Sequence, residues 1–86
     1  MNARPTLTDI ELPRGEGAAV LFWNPDGQHR IEALSATRWR VADVEHKVTV
    51  TVAEVVEQDG AFYLATKRGL TARNTDWRRL VCNCIN

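Results

Sequence analysis

The sequence lacks an excess of charge of either sign, because eleven Lys and Arg residues balance eleven Asp and Glu residues. Proteins that bind nucleic acid of any sequence usually carry a cationic surplus, since most of their affinity comes from neutralising phosphates. Neutrality therefore argues against a dedicated nucleic-acid binder. The longest apolar run, residues 18–23, is far shorter than the roughly 20 residues that a membrane-spanning helix needs. With no leader segment visible, we expect a soluble, cytoplasmic protein that does not contact a membrane.

Cysteine and histidine are equally scarce, with two of each in the chain. Cys82 and Cys84 would point to different sides of a helix, and no second cysteine pair accompanies them. His29 and His46 stand at no metal-motif spacing from them. We therefore expect no metal site, no cofactor and no disulfide framework. The five glycines are scattered turn residues and form no phosphate-binding loop.

No arrangement of residues predicts a catalytic site. A histidine base needs a nucleophile or an acid within hydrogen-bond reach, and the sequence places neither beside His29 or His46, which we expect at the surface. Asp43 and Glu45 could share one side of a strand, but no second acidic cluster answers them. The sequence therefore predicts no catalytic residues and a protein that is not an enzyme.

The chain is long enough for one domain, residues 1–86. A chain of this length buries only about 60–65% of its unfolded surface, which leaves little room for a deep active-site cavity. In residues 1–16, Thr8 to Glu11 match the capping-box spacing, but Pro13 and the glycines that follow allow barely one helical turn. We expect these residues to form a flexible or extended N-terminal arm.

Residues 47–68 predict a β-hairpin, because alternating valines lead into an Asp-Gly turn and a second apolar run follows. The apolar pattern sets the register: a three-residue loop, residues 58–60, places Val56 opposite Phe62. Glu54 then lies on the apolar face. A charge there indicates a β-bulge near Ala53 to Val55, an edge strand, or a carboxylate that meets a basic partner such as Arg68 or Arg78.

Residues 24–27, Asn-Pro-Asp-Gly, predict a second turn and an earlier hairpin. The expected register pairs Asn24 with Gln28 and places Trp23 on the face of Ile31. The arm that ends at Trp23 is apolar throughout, and we expect it to be buried on both faces.

Two further elements complete the prediction. The apolar residues of segment 34–45 match neither the helical nor the strand period well, and we favour a strand from about Arg38 to Val44. Residues 69–73 have the composition of a connection. A helix follows, capped by Asn74 or Thr75, with its apolar positions at helical spacing: Trp77, Leu80, Val81 and Cys84.

Together these elements predict an α+β fold. We expect a small antiparallel sheet of about four to five strands, built from two hairpins, with a C-terminal helix packed on one face. A small all-β barrel is the alternative.

Charge and tryptophan placement indicate binding. Residues 41–60 carry one Lys against five acids, whereas residues 61–86 carry five Lys and Arg against Asp76 alone. The basic end either covers the acidic stretch or steers an anionic partner. Trp and Arg are the residues most enriched at interface hot spots. The candidate partner-binding residues are Trp23, Arg38, Trp39, Arg40, Lys67, Arg68, Arg73, Arg78 and Arg79.

Two functional hypotheses follow. The first is a protein-interaction module, an inhibitor or adaptor that binds a partner protein by shape or by pairing an exposed strand edge. In character the chain is similar to short stand-alone proteins of phages and mobile elements, which commonly block a host machine. The second is a nucleic-acid-binding domain that uses the cationic C-terminal helix.

Overall fold

A computed structural model describes residues 4–24, 27–45 and 48–85. In this part of the chain, six antiparallel strands form one sheet in chain order and one helix follows. The elements are β1 (Ala19–Trp23), β2 (Gln28–Ser35), β3 (Arg38–Glu45), β4 (Val48–Gln58), β5 (Ala61–Thr66), β6 (Gly69–Asn74) and α1 (Trp77–Ile85).

The α+β prediction is confirmed, with a sheet one strand larger than expected. Each strand pairs only with its neighbours in sequence, and β1 does not pair with β6, so the described sheet is open and the closed-barrel alternative is wrong. The strand predicted from about Arg38 to Val44 is β3. No helix in the described ranges is long and apolar enough to cross a membrane.

The additional strand, β6, occupies residues that we expected to be a connection. Its sequence has almost no apolar alternation, and every residue from Gly69 to Arg73 is exposed. The β5–β6 register also shifts between the pairs Leu64–Thr71 and Phe62–Asn74. The shift marks a β-bulge at Ala72 and Arg73, and Ala72 has a φ of 56°. An exposed, bulged edge strand carries little of the hydrophobic pattern from which strands are predicted.

The turn between β4 and β5 is shorter than predicted. Val56 pairs with Tyr63 and Gln58 with Ala61, so the loop is Asp59 and Gly60 alone and the three-residue loop is wrong. Asp59 has a φ of 53° and Gly60 a φ of 77°. Positive φ at both central residues defines a type I′ turn, which Asp-Gly favours.

A bulge in β4 explains why the apolar pattern gave the wrong register. Val41 pairs with Ala53 and Ala42 with Thr51, which leaves Val52 without a partner. The extra residue moves every later side chain of β4 to the opposite face. Val55 therefore enters the core. A bulge does account for the placement of Glu54, but it lies at Val52 rather than near Ala53 to Val55. The basic partner of Glu54 is Arg38 and not Arg68 or Arg78.

We expect Gly60→Val to lower the free energy of unfolding by about 1–2 kcal/mol, because a β-branched residue is strained at positive φ. A Cβ at this position would meet nothing within 4 Å, so the cost comes from the backbone alone. Gly60→Asn is the control, since asparagine tolerates this conformation. Thermal melting measures both variants. A Gly60→Val protein that melts at the same temperature as the Gly60→Asn protein would contradict the turn assignment.

The first hairpin is offset by one residue from the prediction. Trp23, rather than Asn24, pairs with Gln28, so Phe22 pairs with His29. Phe22 is fully buried, whereas Leu21 is 43% exposed. The expectation that β1 is buried on both faces is therefore wrong. Burial of the large Phe22 ring on the core side decides the register, which the turn sequence alone left open.

The N-terminal arm, residues 4–18, packs on one face of the sheet and supplies Leu7, Ile10 and Leu12 to the hydrophobic core. Its path is fixed by a buried hydrogen bond from Trp39 Nε1 to the Pro13 carbonyl oxygen, 2.8 Å long. The capping-box spacing of Thr8 to Glu11 is not followed by a helix. Instead Asp9 Oδ2 accepts hydrogen bonds from the backbone N–H and the hydroxyl of Thr6. These bonds lower the pKa of Asp9.

The helix α1 covers the same face and contacts β4, β5 and β6. Its cap is Asp76, one residue beyond the predicted caps, whose Oδ1 accepts the Arg78 N–H at 3.0 Å. The predicted apolar stripe is confirmed by the burial of Trp77, Leu80 and Val81. Its fourth member, Cys84, is half-buried.

Candidate partner-binding surface

The core contacts of the arm and of α1 lie on one face of the sheet. We call the opposite side the open face. Strand alternation and the observed registers place the following side chains on it: Leu21, Trp23, Arg30, Glu32, Arg38, Arg40, Glu54, Val56, Tyr63 and Leu70. The open face therefore combines aromatic, aliphatic and charged residues across all six strands.

Ion pairs join the central strands of the open face. Glu32 Oε1 accepts hydrogen bonds from Arg30 Nη1 at 2.9 Å and from Arg40 Nη2 at 2.7 Å. On the neighbouring strands, Arg38 Nη1 lies 3.0 Å from Glu54 Oε1. These bonds hold the arginine side chains in defined positions before any partner arrives, which lowers the entropy that binding must remove.

Hydrogen bonds from Arg30 and Arg40 lower the pKa of Glu32. A carboxylate with a depressed pKa in the folded state stabilises the fold above its unfolded pKa, and that stabilisation is lost as the pH falls through the folded pKa. We therefore expect wild type to lose more stability than Glu32→Gln between about pH 5 and about pH 2. Urea denaturation at a series of pH values measures this. Equal losses of unfolding free energy in the two proteins over this pH range would contradict the expectation. The lowered pKa of Asp9 is present in both proteins, so it does not affect the comparison.

The three tryptophans occupy different environments. Trp23, at the end of β1, is half-buried on the open face, with the Arg4 guanidinium carbon 5.5 Å from the centre of its ring. Trp39 is 0% exposed. Its neighbours Arg38 and Arg40 lie on the open face, so strand alternation places the Trp39 side chain on the core side of β3. It therefore provides no surface anchor. Trp77 is also buried.

Arg78 is engaged within the fold rather than displayed. Its Nη2 donates to the Ile10 carbonyl oxygen at 2.6 Å and its Nε to the Leu7 carbonyl oxygen at 3.2 Å. The guanidinium also lies 3.4 Å from Glu11 and 4.8 Å from the Trp77 ring centre. The helix is therefore less cationic toward solvent than its sequence indicates.

Three of the remaining basic residues of the C-terminal part lie along the last strand. We call Lys67, Arg68 and Arg73 the cationic edge, since they lie in the β5–β6 turn and on β6. These three and Arg79, which lies on α1 beside the arm, are exposed, and none of the four makes an ion pair with another described residue. Three of the five acids of residues 41–60 pair elsewhere: Asp43 with His29, Glu54 with Arg38 and Glu57 with Arg14. Among the described side chains, the basic C-terminal part therefore does not pair with these acids.

His29 is buried, so the prediction of a surface histidine is wrong. Its Nε2 lies 2.7 Å from Asp43 Oδ1 and its Nδ1 lies 3.1 Å from the Gly27 carbonyl oxygen. The ring stacks on Phe22 with the ring centres 5.4 Å apart. With both ring nitrogens engaged, His29 joins β2, β3 and the first turn. His46 lies outside the described residues.

The two cysteines, Cys82 and Cys84, are half-buried on α1. Burial raises the pKa of the Cys84 thiol, which disfavours its thiolate. No group of three or more His, Cys, Asp or Glu side chains converges in the described ranges. An open groove of about 410 Å³ separates Thr6 to Thr8 of the arm from Arg79, Cys82 and Asn83 of α1. The groove contains no buried, unpartnered polar atom.

Comparison of the chain with protein-family models, with curated proteins and with solved structures gives no significant match. Its function must therefore be inferred from the geometry of its own surfaces. The open face unites three of the candidate residues, Trp23, Arg38 and Arg40. The three basic residues of the cationic edge form a second group. Sequence reasoning missed Leu21, because the wrong register of the first hairpin placed it in the core. Tyr63 was expected on a solvent face but was not among the candidate residues.

Proposed function

We propose that the protein is a cytoplasmic, non-enzymatic protein-interaction module, an inhibitor or adaptor that binds an acidic partner protein through the open face. The observation that carries the proposal is the sheet itself, since the arm and α1 contribute their core contacts to one side only. The uncovered side displays Trp23, Tyr63 and three arginines. These residue types supply most of the binding energy at protein interfaces.

The chemistry of the open face fits a protein partner. Leu21 and Leu70, near the two edges of the sheet, are 43% and 38% exposed and offer apolar contact. Between them lie arginines that are already oriented by Glu32 and Glu54. The cationic edge adds three positive charges that pair with no other described residue, which favours a partner whose facing surface is acidic.

Nucleic-acid binding by the C-terminal helix receives less support. That hypothesis needs several cations on one helix face, but the donors of Arg78 are directed to the carbonyl oxygens of Leu7 and Ile10. Arg79 is the remaining cation of α1. Few free charges on the helix give few phosphate contacts and correspondingly weak affinity.

The test uses Leu21→Asp, which places a charge on the open face, and Val50→Asp as a matched control. Val50 is 58% exposed and lies outside the open face, toward the tip of the β3–β4 hairpin. The immobilised proteins are exposed to nuclease-treated lysate, and the captured protein is then purified and its affinity measured. Leu21→Asp should weaken binding by about 2 kcal/mol, roughly thirtyfold, while Val50→Asp leaves it unchanged.

Capture that both variants retain equally would contradict an interface on the open face. Capture that nuclease treatment abolishes would indicate nucleic acid as the primary ligand. Melting curves of both variants establish that any loss of binding reflects the surface and not unfolding.

A further inference from the structure

The two edges of the sheet are treated differently by the rest of the chain. At β1, the Trp23 N–H donates to the Pro5 carbonyl oxygen at 2.8 Å, and Thr6 forms a bridge with Trp23. The arm therefore covers part of this edge. No described segment pairs with the outer edge of β6, so alternate N–H and C=O groups of Gly69–Asn74 face outward without a backbone partner.

Cations that pair with no other described residue flank this edge at both ends. Lys67 and Arg68 form the turn that precedes β6, and Arg73 lies near the other end of the strand. A six-residue strand is about 20 Å long, so an extended chain of similar length could meet cations at both of its ends. The outward backbone groups of β6 thus lie between Lys67 and Arg68 on one side and Arg73 on the other.

We infer that the edge of β6 binds an extended, acidic segment of the partner protein, which adds to the sheet as a seventh strand. This inference rests on the proposed function and names the chemistry of the partner. Main-chain hydrogen bonds to β6 would supply affinity, and carboxylates near the ends of the segment would pair with the cationic edge.

The same features protect the edge from other strands. Charged side chains and bulges on an edge strand hinder pairing with neutral strands and with basic ones. The bulge at Ala72 and Arg73 confines regular pairing to Gly69–Thr71, so the contact is short and depends on its charged ends. Repulsion of other strands and attraction of an acidic one together give specificity.

The experiment uses a synthetic peptide of alternating Glu and Val, titrated into the isotopically labelled full-length protein. A second peptide of the same sequence carries an N-methyl group on every residue. A strand directs alternate N–H groups toward each of its two neighbours, so methylation of every residue removes the peptide's N–H donors from whichever edge faces β6. We expect amide shifts centred on residues 69–74 with the first peptide, and we expect the methylated peptide not to produce them.

Charge dependence is tested with Arg73→Glu against Arg14→Glu, which changes the net charge equally but lies on the arm. Arg14 is itself exposed and pairs with Glu57, so melting curves accompany both variants. Arg73→Glu should weaken peptide binding at least about tenfold, and Arg14→Glu less than about twofold. Binding of the wild type should also weaken as salt rises from about 50 mM to about 500 mM.

Four results would overturn the inference. Equal binding of the unmethylated and the fully methylated peptide would show charge attraction without strand addition. Tighter binding of a single-stranded oligonucleotide with the same dependence on Arg73 would assign the edge to nucleic acid. A dimer in sedimentation experiments that Arg73→Glu disrupts would assign it to a second copy of the chain. A captured partner that no longer binds Leu21→Asp but still binds Arg73→Glu would overturn this inference alone. A captured partner that binds Leu21→Asp as tightly as wild type would overturn the proposed function.

Discussion

Trp39→Ala is expected to lower the free energy of unfolding by about 3–5 kcal/mol, the range for removing a large buried aromatic side chain. Trp39 is one of the largest fully buried side chains of the protein, and its ring lies 6.0 Å from that of Phe62. Its loss also leaves the Pro13 carbonyl oxygen without its indole donor. Such a loss is a large part of the roughly 5–15 kcal/mol that stabilises a typical domain.

Urea denaturation monitored by circular dichroism measures this effect. Trp39→Phe is the control, because it keeps most of the buried area and removes the hydrogen bond to Pro13. We expect a smaller loss of stability from Trp39→Phe, together with faster proteolytic cleavage within residues 4–14. A Trp39→Ala protein as stable as wild type would show that the indole does not hold the arm against the sheet.

The second large effect concerns α1. Truncation after Asn74 should give an unfolded or aggregating chain, because the sheet then exposes the core positions that Trp77, Leu80 and Val81 cover. Amide signal dispersion and the presence of a cooperative melting transition measure the outcome. A truncated protein that melts cooperatively would show that α1 is an appendage of the sheet.

A matched pair of substitutions makes the same test without removing residues. Val81→Asp places a carboxylate at a fully buried position of α1, whereas Asn83→Asp introduces the same charge at an exposed position two residues away. We expect severe destabilisation from the first and little change from the second. Similar melting temperatures for the two variants would contradict the packing of α1 on the sheet.

Local signals in the sequence were sufficient to identify α1 and the strands β1 to β5. The stripe of Trp77, Leu80 and Val81 needs only helical spacing, and the Asp-Gly turn marks its hairpin directly. β6 could not be found this way, because its residues are exposed and its bulge interrupts alternation. The hydrophobic residues of the arm are spaced irregularly, so their burial became visible only with the sheet beneath them.

The candidate surface was predictable only in its residue types. Trp23, Arg38 and Arg40 were selected for their chemistry, and the sheet brings them to one face. The face on which each neighbouring side chain lies depends on the strand register. The bulge at Val52, which has no partner on β3, moves the later side chains of β4 to the opposite face. Trp39 was selected by the same chemistry and is buried, because alternation within β3 is decided by the core and not by residue type.

The bonds from Arg78 to the carbonyl oxygens of Leu7 and Ile10 have a consequence for synthesis of the protein. On the ribosome, the meander can pair each strand with its predecessor as the chain emerges. The arm is made before the sheet and receives its last contacts from α1, which is made after the sheet. The core therefore closes only after α1 has left the ribosome, and until then Leu7 and Ile10 lack their contacts with the helix.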